Sequence, residues 1–355
     1  MLVEAPVSVL KIHTTYRCTA NCAHCHLRAG RNRPAKSISY DLTLSVIQEL
    51  KRLNNLELVV FLGGEPGLHP ELIHRLAASI HILGIGLRVE TNASWVVNRD
   101  AARSFLAPLV AARTHLMFSI DVFHEPFVDP GRVVEAIGVV VELGGAWSIE
   151  IPYIEFAARN NPLDRRTLQL RDTAVKGIEQ KTGLVLGSEY VMFVEGQHSV
   201  RLFGQPTAYL VEGRVFFKGR AAHALAPSVA AGRGVPVEVC DTVPWWSNGS
   251  QSTAELLALD PDGYISKECG IVIGNVEQQS MANILNSFNA GHHPILSTLI
   301  NEGPLGLARA AGELGYVMKM DYADKCHLCQ EAREALRVKY PEYLAPAQQY
   351  VDDAM

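Results

Sequence analysis

Short apolar runs alternate with segments of helical periodicity along the first two thirds of the chain. Continuous apolar runs of this length are typical of strands buried on both faces of a parallel sheet. They stand at "VSVLKIH", "LELVVFLGG", "GLRVETN", "HLMFSID", "WSIEIPYI" and "YVMFVEG". The helical period is clearest between residues 40 and 53, where apolar side chains share one face: Leu42, Val46, Ile47, Leu50 and Leu53.

Six strand–helix steps of this kind predict an α/β fold with a parallel sheet and right-handed crossovers. Six steps are too few to close an eight-stranded barrel, so the pattern indicates a partial (β/α)6 TIM-like barrel. Sheets of this class carry their chemistry at the carboxyl ends of the strands. Functional residues are therefore expected directly after the apolar runs.

The pattern changes near residue 200. The stretch "APSVAAGRGVPVEV" is typical of a connection, and "LLALDPDGYISKEC" predicts a β-hairpin with Asp-Pro-Asp-Gly at its turn. Short helical patterns follow, and "CQEAREALRVKY" predicts a helix near the C-terminus. We therefore expect two domains, a barrel over residues 1–218 and a smaller α+β domain over residues 219–355.

Composition narrows the class of protein. Hydrophobic residues make up 48%, charged residues 19%, and the net charge is -5, which indicates a large core and disfavours nucleic acid as the partner. Neither a signal peptide nor an apolar run long enough for a membrane span is recognised, so a cytoplasmic protein without a membrane partner is expected. Seven cysteines in such a chain indicate a metal or catalysis rather than disulfides.

Three cysteines lie close together directly after the first predicted strand. Cys18, Cys22 and Cys25 are spaced CxxxCxxC in "YRCTANCAHCHLRAG". A structural zinc site needs four ligands, typically in two separated pairs, and His24 and His26 lie in the same short loop. Three thiolates suit a [4Fe–4S] cluster in which one iron is left open for a small molecule.

This spacing resembles the signature of the radical S-adenosylmethionine (SAM) enzymes, and similar matches end the later strands. They are "FLGGEP", "ETNAS", "FSID" and "IPYIE", so the resemblance covers roughly residues 8–195. Taken singly, each stretch is more typical of a turn or a helix cap. Together with the cysteines, they resemble the family's SAM-binding stretches. The resemblance implies these cofactor-binding residues: Gly63, Gly64, Glu65, Asn92, Ser119, Asp121, Tyr153, and His24 beside adenine.

The resemblance also implies a reaction. In this family, SAM binds the open iron, the reduced cluster cleaves it, and a 5′-deoxyadenosyl radical abstracts a hydrogen atom from the substrate. The cofactor supplies this chemistry, while the protein aligns the target C–H bond and excludes water. An external electron donor such as flavodoxin or ferredoxin is implied.

The remaining cysteines are Cys240, Cys269, Cys326 and Cys329, the last two in "KCHLCQEAR". They resemble the auxiliary-cluster extensions of the family, known as twitch and SPASM domains. Four cysteines suit the shorter twitch form with one fully ligated [4Fe–4S] cluster, although Gly263 lies six positions before Cys269 where the SPASM pattern has five. Zinc at these four residues, or one free cysteine that donates a hydrogen atom, stays an alternative. The stretch beginning Gly219-Arg220 is similar to segments that precede such domains, with Arg220 either bound to a ligand or structural.

The favoured function is a two-electron oxidation of a small natural-product molecule. Only seventeen residues precede Cys18, so leader-peptide recognition would need a separate protein, which tilts the expectation away from a peptide substrate. One alternative is a peptide maturase that forms a crosslink or epimerises a residue. The other is an iron–sulfur or zinc protein without enzymatic activity.

Overall fold

The structure is a computed structural model that describes residues 7–54, 56–155, 161–186, 193–195, 198–205, 208–240, 255–267 and 269–351. The strands within these residues are β1 (Val7–His13), β2 (Leu58–Leu62), β3 (Gly86–Thr91), β4 (His115–Ser119), β5 (Ala146–Tyr153), β6 (Phe193–Glu195), β7 (His198–Gln205), β8 (Ala208–Arg214), β9 (Glu255–Leu259), β10 (Tyr264–Lys267) and β11 (Ile271–Asn275).

The helices within the same residues are α1 (Tyr40–Asn54), α2 (Pro70–Ile82), α3 (Arg99–Ala111), α4 (Pro130–Glu142), α5 (Pro162–Thr182), α6 (Ala221–Ala224), α7 (Pro227–Ala230), α8 (Met281–Ser287), α9 (Pro294–Gly312) and α10 (Lys325–Leu336). In α1 the predicted face is buried at Val46, Ile47 and Leu50. Across the described ranges, every helix falls short of the length and apolar character that a membrane crossing requires.

The chain divides into two compact units, the first formed by residues 1–16, 23–57 and 216–355 and the second by residues 17–22 and 58–215. In the second unit the strands follow the order β2-β3-β4-β5-β8-β7-β6. The pairs from β2 through β5 to β8 are parallel, whereas β7 pairs antiparallel with both β8 and β6. Helices α2 to α5 connect the parallel strands, which confirms the predicted α/β class, and the open strand order fits a partial barrel.

The first unit contains the predicted hairpin. Strands β9 and β10 pair antiparallel, β11 continues on the far side of β10, and β9 pairs parallel with β1. At the turn, the Asp260 carboxylate accepts hydrogen bonds from the backbone N–H groups of Asp262 (2.9 Å) and Tyr264 (3.0 Å). The predicted turn is therefore present at the Asp-Pro-Asp-Gly stretch. It is stabilised by an Asp side chain that accepts hydrogen bonds from the backbone of the turn.

The sixth parallel strand is not the one that the apolar pattern indicates. In "YVMFVEG" only residues 193–195 are described, and they form β6, which is antiparallel to its neighbour β7. The parallel neighbour of β5 is β8, so the step after α5 reaches β8 with a hairpin inserted before it. A short apolar run predicts a strand but not its direction, which explains the error. The domain boundary near residue 218 stays a prediction.

Candidate functional site

Glu65 joins the carboxyl ends of β2 and β3 in the second unit. Its carboxylate Oε1 accepts hydrogen bonds from the Gly67 N–H (2.8 Å) and the Thr91 hydroxyl (2.7 Å), and Oε2 accepts from the Asn92 N–H (2.9 Å). Burial raises the pKa of Glu65 above its ordinary value, although these donors oppose that rise. Both oxygens are occupied inside the protein, so the Glu65 side chain holds the two strand ends in a fixed arrangement.

The turn after β2 depends on glycine at two positions. Gly63 has a φ of 120°, in a region that side chains rarely adopt, and Gly64 beside it is half-buried. A Cβ at Gly67 would lie 2.1 Å from Cδ1 of Trp95, whose indole N–H donates to the Thr91 hydroxyl (2.9 Å). The turn that begins at the predicted Gly-Gly-Glu stretch is therefore restricted by backbone conformation at Gly63 and by close packing against Trp95 at Gly67.

Asn92 aims a hydrogen-bond donor at the first cysteine. Its Nδ2 lies 3.6 Å from Cys18 Sγ and 3.4 Å from the Thr19 hydroxyl, while its Oδ1 accepts from the Ser94 N–H (2.9 Å). The Ala20 N–H also donates to Cys18 Sγ (3.4 Å). Donors gathered on a buried sulfur stabilise a thiolate, the form in which cysteine ligates iron. The donor set at Cys18 therefore fits an iron–sulfur ligand.

A second cysteine of the loop has a histidine beside it. After β4, the Asp121 carboxylate accepts from the N–H groups of Phe123 (2.8 Å) and His124 (2.9 Å), and its other oxygen bonds His124 Nδ1 (2.7 Å). A ring nitrogen of His124 lies within 4.8 Å of Cys22 Sγ. Burial alone would lower the pKa of His124, but the charges of Asp121 and Cys22 raise it well above its ordinary value. The ring is thereby kept as a donor towards the sulfur.

His124 is a site residue that the sequence analysis missed. It follows Asp121 by three positions, in the loop that leaves β4. In the sequence, the only indication of its role is a histidine three residues after an aspartate that follows a strand. This spacing does not reveal that the His124 ring lies near Cys22. The aspartate itself was predicted to bind SAM. The structure places its carboxylate on the loop backbone and on His124.

The other predicted SAM contacts occupy different surroundings. Ser119 ends β4 and is half-buried, and His24 is half-buried in the loop between Cys22 and Cys25. Tyr153 ends β5 and is buried, with its hydroxyl donating to Glu212 Oε1 (2.8 Å), to which Arg171 also donates (3.2 Å). The Tyr153 hydroxyl is thus directed into a polar cluster between β5, β8 and α5. Contact of His24 or Tyr153 with adenine stays a prediction.

In the first unit, the residues around Cys25 are held by the stretch that begins at Gly219. The Arg220 N–H donates to the Cys25 carbonyl (2.9 Å), and the Arg220 guanidinium donates to the Ala29 carbonyl (2.8 Å). Gly219 has a φ of 59°, and a Cβ there would lie 2.2 Å from the His26 carbonyl oxygen. The Arg220 side chain therefore has a structural contact, and this stretch supports the loop from Cys25 to Ala29.

The four remaining cysteines gather in the first unit. Cys329 is buried in the core formed by α9, α10 and β11, and Cys240 and Cys269 pack against the same core. Cys326 is close enough to Cys329 and Cys240 for their charges to interact. Burial raises the pKa of the Cys326 thiol far above its usual range and that of Cys329 to about 11. Metal binding at these sulfurs would therefore release protons.

Comparison with known proteins identifies the domain that carries Cys18, Cys22 and Cys25. Residues 12–146 match the family model described as the Radical SAM superfamily. The matched residues are less than half of the 355-residue chain. The match covers the predicted stretches from the cysteine loop to the Ser-x-Asp stretch. No curated protein sequence matches the chain.

Solved structures to which this chain is similar include proteins with bound SAM. The structure of Streptococcus suis SuiB bound to S-adenosylmethionine is 12% identical, with a TM-score of 0.47 over 85% of this chain and 72% of that chain. Native anSMEcpe with bound AdoMet and Cp18Cys peptide is 12% identical, with a TM-score of 0.46 over 95% and 98%. BtrN in complex with AdoMet and 2-DOIA is 11% identical, with a TM-score of 0.40 over 84% and 88%. Similarity at this level leaves the substrate of this protein unassigned.

Proposed function

We propose that this enzyme uses SAM to remove a hydrogen atom from a small natural-product molecule in a two-electron oxidation. Cys18, Cys22 and Cys25 would hold the [4Fe–4S] cluster, which when bound supplies the electron that cleaves SAM to the 5′-deoxyadenosyl radical. The observation that best supports this proposal is the pair of N–H donors on Cys18 Sγ, from Asn92 and Ala20. They suit a metal-bound thiolate better than a neutral thiol, whose sulfur is a weak acceptor.

The residues of this chain would then act mainly by positioning. Glu65 fixes the backbone of the Gly-Gly-Glu turn and the start of the loop at Asn92 through three hydrogen bonds. In the family, the backbone of this turn meets the amino group of SAM, so its rigidity would orient the cofactor. Asp121 holds the loop after β4 by accepting two backbone N–H groups, which fixes the segment expected near the ribose. Preorganised contacts of this kind lower the barrier by aligning the reacting atoms.

We further propose that residues 219–355 carry one auxiliary [4Fe–4S] cluster held by Cys240, Cys269, Cys326 and Cys329. Cys240, Cys269 and Cys329 share one core, and Cys326 is near enough to Cys329 and Cys240 for their charges to interact, which supports a shared metal. Such a cluster, when bound by these four cysteines, would supply an acceptor for the second electron of an oxidation. Zinc would fit four thiolates as well, but it has no redox chemistry.

The proposed partners follow from the same chemistry. Reduction of the first cluster requires an external electron donor such as flavodoxin or ferredoxin, and we propose a cytoplasmic enzyme that acts without nucleic acid or membrane. A small-molecule substrate is proposed over a peptide. Incubation with deuterated candidates distinguishes the two, because abstraction places deuterium in 5′-deoxyadenosine only when the labelled C–H bond is the target.

The test of the proposed function is SAM cleavage by the anaerobically reconstituted, dithionite-reduced protein. Wild type should form 5′-deoxyadenosine, and Cys18→Ala should reduce its formation to the background level because the cluster loses a ligand. Cys326→Ala should keep cleavage detectable while losing about four of about eight irons, the content of one cluster. Equal cleavage by Cys18→Ala and wild type would contradict the SAM site. About four irons, or zinc, in wild type would contradict the auxiliary cluster.

A further inference from the structure

A buried arginine lies beside the four cysteines of the first unit. Arg333 is on α10, one helical turn after Cys329, and only 1% of its surface is exposed. Its Nη1 donates to the Cys269 carbonyl and to the Tyr350 hydroxyl (2.9 Å), and its Nη2 donates to Gln330 Oε1 (3.0 Å). The ring of Tyr350 also lies 5.5 Å from the guanidinium carbon. Arg333 is thus enclosed by the same elements that carry the sulfurs.

All of these oxygen acceptors are neutral. Cys269 contributes a backbone carbonyl and Gln330 an amide, and burial raises the pKa of the Tyr350 hydroxyl to about 12, so it stays protonated. The Nε of Arg333 is buried and has no acceptor within the described part of the chain. An arginine is charged at every relevant pH, and burying a charge without an opposite charge is strongly unfavourable. None of the oxygen atoms that accept hydrogen bonds from the Arg333 guanidinium in the described residues therefore carries a negative charge.

The groups that can become anionic beside Arg333 are thiols. Its charge interacts with Cys329 and Cys269, and Cys329 is within reach of its N–H groups. As neutral thiols these groups do not balance the guanidinium, but as metal-bound thiolates they do. A [4Fe–4S] cluster with four thiolates carries a net negative charge that grows by one on reduction. Charge near such a cluster and hydrogen bonds to its sulfurs set its reduction potential.

We infer that Arg333 supplies the positive charge that balances the metal-bound thiolates of Cys240, Cys269, Cys326 and Cys329, and that it raises the reduction potential of the auxiliary cluster. The inference rests on the auxiliary cluster of the proposed function. Arg333 favours the reduced cluster because that form carries more negative charge than the oxidised form. A cluster with a raised potential is a better electron acceptor, which suits the second step of an oxidation. Arg333 is a positioning residue, since it acts through the cluster and not on the substrate.

The test is a redox titration of reconstituted full-length protein, followed by EPR. At the midpoint potential of the wild-type auxiliary cluster, Arg333→Met should lower the ratio of reduced to oxidised cluster at least tenfold, which is about 59 mV for a one-electron couple. Arg333→Lys keeps a positive charge, so its midpoint potential should lie between those of wild type and Arg333→Met. Arg337→Met is the matched control, because Arg337 follows Arg333 by four residues, caps the C-terminus of α10 and donates instead to the Leu344 carbonyl (3.1 Å). It should leave the midpoint unchanged.

A second measurement covers the case in which Arg333→Met takes up too little iron for the titration. Metal loading should raise the melting temperature of wild type more than that of either Arg333 variant, because only the loaded site carries the charge that Arg333 balances. A purely structural arginine would affect the metal-free and loaded proteins equally. Equal loading shifts, or an unchanged midpoint in Arg333→Met, would overturn the inference.

The iron content separates this inference from the proposed function. Wild type with about eight irons and an unmoved midpoint in Arg333→Met contradicts the role of Arg333 alone. Wild type with about four irons, or with zinc, contradicts the auxiliary cluster and with it the effect of Arg333 on a reduction potential.

Discussion

At the scale of single residues, the site depends on polar side chains that are buried and fully engaged. Glu65 illustrates this, because one carboxylate holds the backbone after β2, a hydroxyl at the end of β3 and the N–H of Asn92. Asn92 in turn donates towards Cys18. Hydrogen bonds therefore connect the Gly-Gly-Glu turn to Cys18, the first predicted iron ligand. A substitution at one of these residues should displace the others.

We predict that Glu65→Gln destabilises the metal-free protein by about 1–3 kcal/mol, since an amide leaves at least one buried donor without its acceptor. The free energy of unfolding in urea, measured without oxygen, gives this value. Glu71→Gln is the control, because Glu71 is an exposed carboxylate at the start of α2. Equal stability of Glu65→Gln and wild type would show that the three hydrogen bonds do not hold the turn.

Some residues of the site could be nominated from the sequence and others could not. The role of Cys18, Cys22 and Cys25 as iron ligands stays a prediction, but they were recognisable as candidates because their spacing is local and the chemistry of three thiolates is specific. His124 and Arg333 were not, because their roles depend on partners brought near by folding. Cys22 lies far from His124 in sequence, and Arg333 bonds a carbonyl 64 positions before it. No short pattern encodes a contact of that kind.

At the scale of elements, turns and strand ends decide where the chemistry lies. The predicted strands β1 to β5 are present, and the polar stretches do stand at the carboxyl ends of β2, β3 and β4. The alternation of apolar runs was sufficient for this because each parallel strand is buried on both faces. It failed at β6 to β8, where a hairpin interrupts the alternation, because apolar content does not encode strand direction.

The turn at Gly219 allows a test at this scale. We predict that Gly219→Ala lowers stability by at least about 1–3 kcal/mol more than a control substitution, because its Cβ would collide with the His26 carbonyl oxygen. Gly232→Ala is the matched control, since Gly232 also has a positive φ, 76°, but no heavy atom within 4 Å of its Cβ position. The difference between the two melting temperatures isolates the collision from the backbone strain.

The iron content of the same two variants reports on function. Displacing the residues around Cys25 should reduce cluster loading in Gly219→Ala, while Gly232→Ala should bind iron as wild type does. Equal losses of stability and iron in the two variants would show that the close contact between Gly219 and His26 does not support the loop that carries Cys25.

At the scale of the whole molecule, each compact unit combines segments that are distant in sequence. The first unit joins residues 1–16 and 23–57 to residues 216–355, and its strand β1 pairs with β9. The change of pattern near residue 200 suggests a single boundary because it reports only how composition varies along the chain. Composition does not reveal which strands pair. Both β1 and β9 are short apolar runs with many possible neighbours, so their pairing could not be inferred from the sequence. The similarity to the Radical SAM superfamily was nevertheless predictable, since the motifs that carry it are local.

The central claim is that SAM binds the iron left open by Cys18, Cys22 and Cys25. Its most direct test is EPR of the dithionite-reduced protein before and after addition of SAM, with Cys326→Ala in parallel so that the auxiliary cluster does not obscure the signal. SAM should change the g-values and line shape of the cluster in both proteins, because the cofactor becomes an iron ligand. A spectrum that stays the same at saturating SAM would contradict it.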